Sequence, residues 1–244
     1  MTVLSLRYGC STDVGRLRSQ NQDRLLARDG LFLVADGMGG QPAGEVASAL
    51  AIAELASLAE PARELDVTDL IEAVQQANAR LLDEGQRDPE RYGLGTTLTG
   101  VIRLADGQWA ILNVGDSRVY RFAGDRLEQL TTDHSAVQQL VDAGLLDPRA
   151  ALHHPRRNVV TRSLGIQPPP VPDIELRRPE PGEQFLICSD GLTNELSDAE
   201  IAAVLAARVD PQEAAEELVA QAVAAGGRDN VSVIVVRLDL ADTN

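Results

Sequence analysis

Short apolar runs bounded by turn residues alternate along this chain with longer stretches rich in alanine and leucine. Residues 3–10 and 24–35 carry the apolar pattern of strands, the second set folding as a hairpin near Asp29-Gly30. Residues 44–59 hold Val46, Leu50, Leu55 and Leu58, and residues 68–84 hold Leu70, Ile71, Val74, Ala77, Leu81 and Leu82 near helical spacing. Both predict helices that pack on a sheet. Strands are predicted at Thr97–Leu104, Gln108–Val114, Arg118–Phe122 and near Leu127, with Asp106-Gly107 as a hairpin turn. Helices are predicted at about 135–143 and 147–152. Pro168-Pro169-Pro170 and Pro172 interrupt the chain before a strand at 173–177. A strand at 184–188, helices near 198–207 and 211–224, and a buried strand at Val231–Leu238 complete the order.

Runs of like elements, rather than strict alternation of strand and helix, favour an α+β fold over a doubly wound one. Each helical pair would cover the outer face of a sheet, and the remaining sheet faces would pack on each other. No internal repeat or low-complexity segment interrupts this plan.

Composition narrows the picture. The chain has 244 residues, 44% of them hydrophobic, which suits one large domain or two small ones. No segment approaches ~18 consecutive apolar residues, so no transmembrane helix is expected. The opening Met1-Thr2-Val3-Leu4-Ser5-Leu6-Arg7 is too short and polar for a signal peptide. Cys188 sits in an apolar run and reads as a small core residue, so a reducing, cytoplasmic setting is expected. The net charge of −15 argues against nucleic-acid binding, which needs a basic surface. All 22 basic residues are arginine.

Chemistry concentrates in five acidic motifs. They are Arg18-Ser19-Gln20-Asn21-Gln22-Asp23, Asp36-Gly37-Met38-Gly39-Gly40, Asn113-Val114-Gly115-Asp116-Ser117-Arg118, Ser189-Asp190-Gly191 and Arg228-Asp229-Asn230. Asp36, Asp116 and Asp190 each follow an apolar run that reads as a buried strand. A carboxylate there is costly unless a cation compensates it. With no lysine in the chain, the set points to hard divalent ions, and oxygen-only ligands select magnesium or manganese over zinc or copper.

The ordered set resembles the metal-dependent protein phosphatase 2C family in its bacterial soluble form. Beyond the five motifs it includes Gly95-Thr96-Thr97, Asp133-His134-Ser135, Thr161-Arg162-Ser163-Leu164-Gly165 and Gly227 before Arg228, so the match runs from residue 8 to about 238. The resemblance implies a four-layer α-β-β-α sandwich of two antiparallel sheets flanked by helical pairs, with 1–244 as a single catalytic domain. It implies that Asp36 bridges two Mn2+ or Mg2+ ions and that Asp190 and Asp229 complete the first ion's ligands. The carbonyl of Gly37 would serve the second. Asp116, with Asp190, would hold a possible third, Asp23 would act through water, and Arg18 would grip the substrate phosphate without ligating metal. Such paired ions, ~3.5–4 Å apart, activate a water and stabilise the entering and leaving oxygens.

The implied activity is hydrolysis of phosphoserine and phosphothreonine in proteins, opposing bacterial serine/threonine kinases, by a monomer. One alternative is a phosphatase for a partner-switching regulator, whose members often lack the Arg18-to-Asp23 motif and the long flap. Another is an inactive binding module, which should have lost one of Asp36, Asp190 or Asp229. Two departures from animal members stand out: Met38 replaces a histidine proposed as general acid, and Gln22 replaces a glutamate ligand.

Residues 136–165 resemble the family's flap. They carry Arg149, His153, His154, Arg156, Arg157 and Arg162, which suit either substrate contact or a solvated helical face. His134 reads as a structural hydrogen-bonding residue at a helix start. Cys10-Ser11-Thr12-Asp13-Val14-Gly15-Arg16 matches the Cys-x5-Arg loop of cysteine-dependent phosphatases. Leu17 stands where Ser or Thr usually follows, so Cys10 is expected on a strand instead.

Overall fold

The computed structural model describes residues 4–28, 30–39, 43–59, 64–88, 91–151 and 154–240. Asp29 of the expected hairpin, Gly40 and His153 lie outside the described residues. In chain order the elements are β1 (Leu4–Asp13), β2 (Asp23–Arg28), β3 (Leu31–Met38), α1 (Ala43–Ala56), α2 (Val67–Arg87), β4 (Gly95–Thr96), β5 (Leu98–Arg103), β6 (Trp109–Val114), β7 (Arg118–Ala123) and β8 (Arg126–Gln129). There follow α3 (Ala136–Asp142), α4 (Pro148–Ala151), β9 (Asp173–Arg177), β10 (Gln184–Cys188), α5 (Asp190–Thr193), α6 (Asp198–Ala207), α7 (Pro211–Ala225) and β11 (Val231–Leu240).

Two antiparallel sheets form. One has the order β1-β11-β10-β7-β8; the other has the order β2-β3-β5-β6-β9, with β4 added beside β3. The period of two along each strand explains the layering. In β3, Leu31, Leu33 and Ala35 face the core under α1 and α2, while Phe32 and Val34 face the core between the sheets. In β11, Val231, Val233 and Val235 face α6 and α7, while Ile234, Val236 and Leu238 meet the other sheet. Strands buried on both faces read as continuous apolar runs, which is why β11 alternates so little. Phe32, Trp109 and Phe185 stack between the sheets at centroid distances of 6.1 Å. The result is the α-β-β-α sandwich expected from the sequence.

Local chemistry sets the helix starts. Asp66 caps α2 and Ser197 caps α6, each in a reciprocal capping box, and Asp210 with Pro211 opens α7. The pattern misjudged three details. The most buried stripe of α1 is Ala43, Ala47, Ala51 and Leu55, with Val46 and Leu50 only partly buried. Small residues are needed there because α1 approaches β3 closely: a Cβ on Gly37 would lie 2.0 Å from the Gly44 carbonyl oxygen. Strand β3 continues through Asp36 to Met38, because β4 gives its end a partner. The short helix α5 begins at Asp190, between the strand at 184–188 and the helix near 198–207, where the sequence pattern predicts no helix. Among the described residues no helix is long and apolar enough to cross a membrane.

Candidate active site

Asp36 is fixed by its backbone. Its N–H donates to Thr97 Oγ1 at 2.9 Å, and its carbonyl accepts from Thr96 Oγ1 and the Thr97 N–H, both at 2.9 Å. Thr97 Oγ1 also meets Ser117 Oγ at 2.9 Å, tying the Gly95-Thr96-Thr97 motif to the turn that carries Asp116. Asp23 opens β2 directly opposite Asp36 in the ladder.

The other strand-end aspartates come from the second sheet and its connections. Asp190 follows β10, and its Oδ2 accepts from Asn194 Nδ2 at 2.9 Å. Gly191 lets this turn dock on β11, since a Cβ there would lie 2.0 Å from the Asn230 carbonyl oxygen. Asp229 precedes β11 and accepts Arg18 Nη2 at 2.6 Å on Oδ2 and the Asn230 N–H at 2.9 Å on Oδ1. Asp116 lies in the β6–β7 turn, where Gly115 adopts φ 121° and packs on Thr97. His134 holds that turn: its Nδ1 accepts the Gly115 N–H at 3.0 Å, so the Nε2–H donates to Asp173 Oδ2, also at 3.0 Å. Its role is structural, as expected, but Ser135 is the residue that caps α3.

These carboxylates disturb one another. Burial pushes Asp36 well above the usual carboxylate range, with Asp23, Asp190, Asp116 and Asp229 adding repulsion. Burial, then Asp190 and Asp133, raise Asp116 to about 8. Burial raises Asp23 to about 7 against opposing hydrogen bonds from Ser232 and Ser189. Asp190 is raised by burial and Asp229. Two arginines stand near, and both are engaged with carboxylates. Arg18 reaches Asp229 from an exposed loop, and Arg118 makes a forked pair with Asp133 at 2.7–3.1 Å.

The donor set fits divalent cations. Its ligand atoms are oxygens, its charges are unbalanced, and Asp23 Oδ1 is buried without a hydrogen-bond partner. Among the described residues no three acidic, histidine or cysteine side chains converge as a finished cage. Asp23 and Asp36 face each other across the β2–β3 ladder, and Asp36 is raised electrostatically by Asp23, Asp190, Asp116 and Asp229 on top of its burial. Gly37 is sterically obligatory. Gly37→Ala is expected to cost about 1–3 kcal/mol or more by overpacking, read as a lower urea midpoint; an unchanged midpoint would refute the steric reading.

A cavity of about 1260 Å³ opens above Asp116 and Asp190, walled on one side by Arg149 and Arg157 and on another by α5 and the start of α6. A smaller one of about 130 Å³ lies between Arg18, Arg157 and Asp229. A Ser135–Val160 bridge ties the start of segment 136–165 to its later part, and Leu164 pairs with Thr96 beside the site. The basic island divides. Arg149 and Arg157 face the cavities, whereas Arg162 is bound to Asp173 and the Val171 carbonyl. Cys10 lies on β1 opposite Ile234, and burial raises its thiol, so it is no nucleophile loop.

Sequence reasoning missed the supporting residues. Ser189 donates to Asp23 Oδ2 at 2.8 Å, and Glu195 forks onto Arg228 at 2.9 Å. Both lie in or beside quoted motifs, but nothing local distinguishes them from ordinary turn residues.

A family model described as protein phosphatase 2C matches residues 16–224. The serine/threonine protein phosphatase PstP of Mycobacterium tuberculosis is 39% identical over 236 residues, which cover 96% of this chain and 45% of that protein. The chain therefore spans less than half the length of this relative. The serine/threonine phosphatase stp of Listeria monocytogenes is 35% identical over 243 residues, 94% of each chain. Among solved structures, the catalytic domain of PstP in complex with two manganese ions superposes with a TM-score of 0.89 at 36% identity, covering 97% of this chain and 100% of that one. This chain belongs to the protein phosphatase 2C family.

Proposed function

We propose that residues 1–244 form a catalytic domain that hydrolyses phosphoserine and phosphothreonine in proteins, with two manganese or magnesium ions at its core. The observation that carries this reading is the group of mutually repelling aspartates around Asp36, one with an orphaned buried oxygen, beside a cavity edged by arginines. Asp36, Asp190, Asp229 and the Gly37 carbonyl would hold the core ions, Asp116 with Asp190 a third, and Asp23 would act through water. When bound, such ions neutralise the phosphate and activate water for in-line attack.

The chain's own residues do the rest. Thr96 and Thr97 hold the Asp36 backbone rigid. Arg18 supplies the planar fork for phosphate oxygens; one Nη2–H is on Asp229, and its side chain is 51% exposed. Met38 carries no proton to give, so the leaving oxygen would take one from water or from another residue, or depart without one. The 136–165 segment contributes Arg149 and Arg157 to the cavity wall and acts as a flap over substrate. A cytoplasmic monomer is part of this reading, and the kinship with bacterial serine/threonine protein phosphatases supports a role opposing serine/threonine kinases.

The test is phosphate release from a phosphothreonine peptide in the presence of manganese. Release is expected, and none at all would overturn the reading. Arg18→Ala is expected to lower kcat/KM about tenfold to a hundredfold through KM, the scale of one charge-assisted contact. Arg18→Lys should recover only part of this, because a point charge lacks the fork. Manganese affinity, measured by calorimetry, should not fall in either variant, since Arg18 engages Asp229 without supplying a ligand oxygen. A collapse of manganese binding would remove Arg18 from the substrate side.

A further inference from the structure

We propose that Asn230 is the positioning residue for Arg18, an inference that rests on the reading of Arg18 as the phosphate grip. Arg18 lies in a segment, residues 14–22, that has no helix or strand of its own. Such a segment needs an outside anchor to hold a long side chain in one place. Asn230 is 5% exposed, and it spends its side chain on that segment. Its Nδ2 donates to the Val14 carbonyl and to the Gln20 carbonyl, each at 2.9 Å, and its Oδ1 accepts the Gln22 N–H at 2.9 Å. Both donors of the amide and one acceptor site are thus used, on either side of Arg18 in the chain.

The same residue addresses the other half of the arginine's ion pair. The Asn230 N–H donates to Asp229 Oδ1 at 2.9 Å, while Arg18 occupies Oδ2. Asn230 therefore fixes the carboxylate through its backbone and the guanidinium loop through its side chain. The fit is close: Gly15, at φ +75°, would place a Cβ 2.3 Å from the Asp229 carbonyl oxygen, and the Arg16 N–H donates to the Gly227 carbonyl at 2.6 Å. Aspartate at 230 would keep the volume but turn both donor contacts into oxygen–oxygen repulsions.

A double-mutant cycle tests this with a phosphothreonine peptide as substrate and manganese calorimetry alongside. Asn230→Asp is expected to raise KM about tenfold, the scale of two lost neutral hydrogen bonds, and to change manganese affinity by less than about twofold. In an Arg18→Ala background the same substitution should raise KM no further, because the group it positions is gone. Asn230→Ala should follow the same pattern. An equal rise with and without Arg18, or no rise beside an intact Arg18, overturns the positioning role while leaving the Arg18 reading in place. No effect of Arg18→Ala alone would sink that reading instead. Loss of a cooperative unfolding transition in both Asn230 variants would assign the residue to stability and overturn the proposal.

Discussion

Asp36→Asn is expected to lower kcat by about 10²–10³-fold or more, the scale of losing one preorganised electrostatic contact in a reaction centre. The substitution keeps the side chain's shape but removes its charge and one acceptor oxygen at the strand end that faces Asp23. The backbone contacts to Thr96 and Thr97 do not involve the side chain, so the fold should persist. Stability in chelator should in fact rise. Burial first, and then Asp23, Asp190, Asp116 and Asp229, disfavour a charge on Asp36, and an amide there removes that cost. Steady-state kinetics and thermal unfolding in EDTA should therefore move in opposite directions. Near-native turnover would show that Asp36 does not sit at the reaction centre. By contrast, Asp116→Asn should leave most of the turnover intact, because Asp116 is expected to serve only a third ion.

Chelation is expected to abolish activity and to make stability depend steeply on pH. Without a cation, Asp23 and Asp116 hold their protons to about 7 and about 8 in the folded chain, against 3.8 for a free aspartate side chain. The folded state then binds more protons than the unfolded state, so stability falls as pH rises through that window. The contribution is fully present below the unfolded value and lost above the folded ones. Manganese should reverse the trend, since it replaces protons on the same oxygens and binds better as they ionise. Thermal midpoints at about pH 6 and about pH 8.5, in EDTA and in manganese, would check this. In EDTA the midpoint should drop at the higher pH, and the manganese-induced rise should be larger there. A chelated protein that stayed fully active, or grew more stable with rising pH, would contradict the electrostatic account.

Much of this is legible in the chain itself. The strands and helices follow local periodicity, so β3, β11, α2 and α7 appear within a few residues of where the pattern puts them. The acidic motifs stand out because a charged residue after a buried run is costly in any fold. Local pattern could not place the end of β3 or the alanine stripe of α1. Both depend on what packs against them, β4 in one case and the close approach of Gly37 to Gly44 in the other.

By itself the sequence determined the element order, the three apolar layers and the identity of the acidic residues, because burial and turn chemistry act over a few neighbouring positions. Only the tertiary structure decided which of those residues meet. Strand register sets Asp23 opposite Asp36, and the docking of β11 on β10 and β1 brings Asp229 and Asn230 beside Asp190 and the Arg18 loop. Those meetings are contacts between distant parts of the chain, fixed by ladders and layer packing. No local spacing in the sequence encodes them.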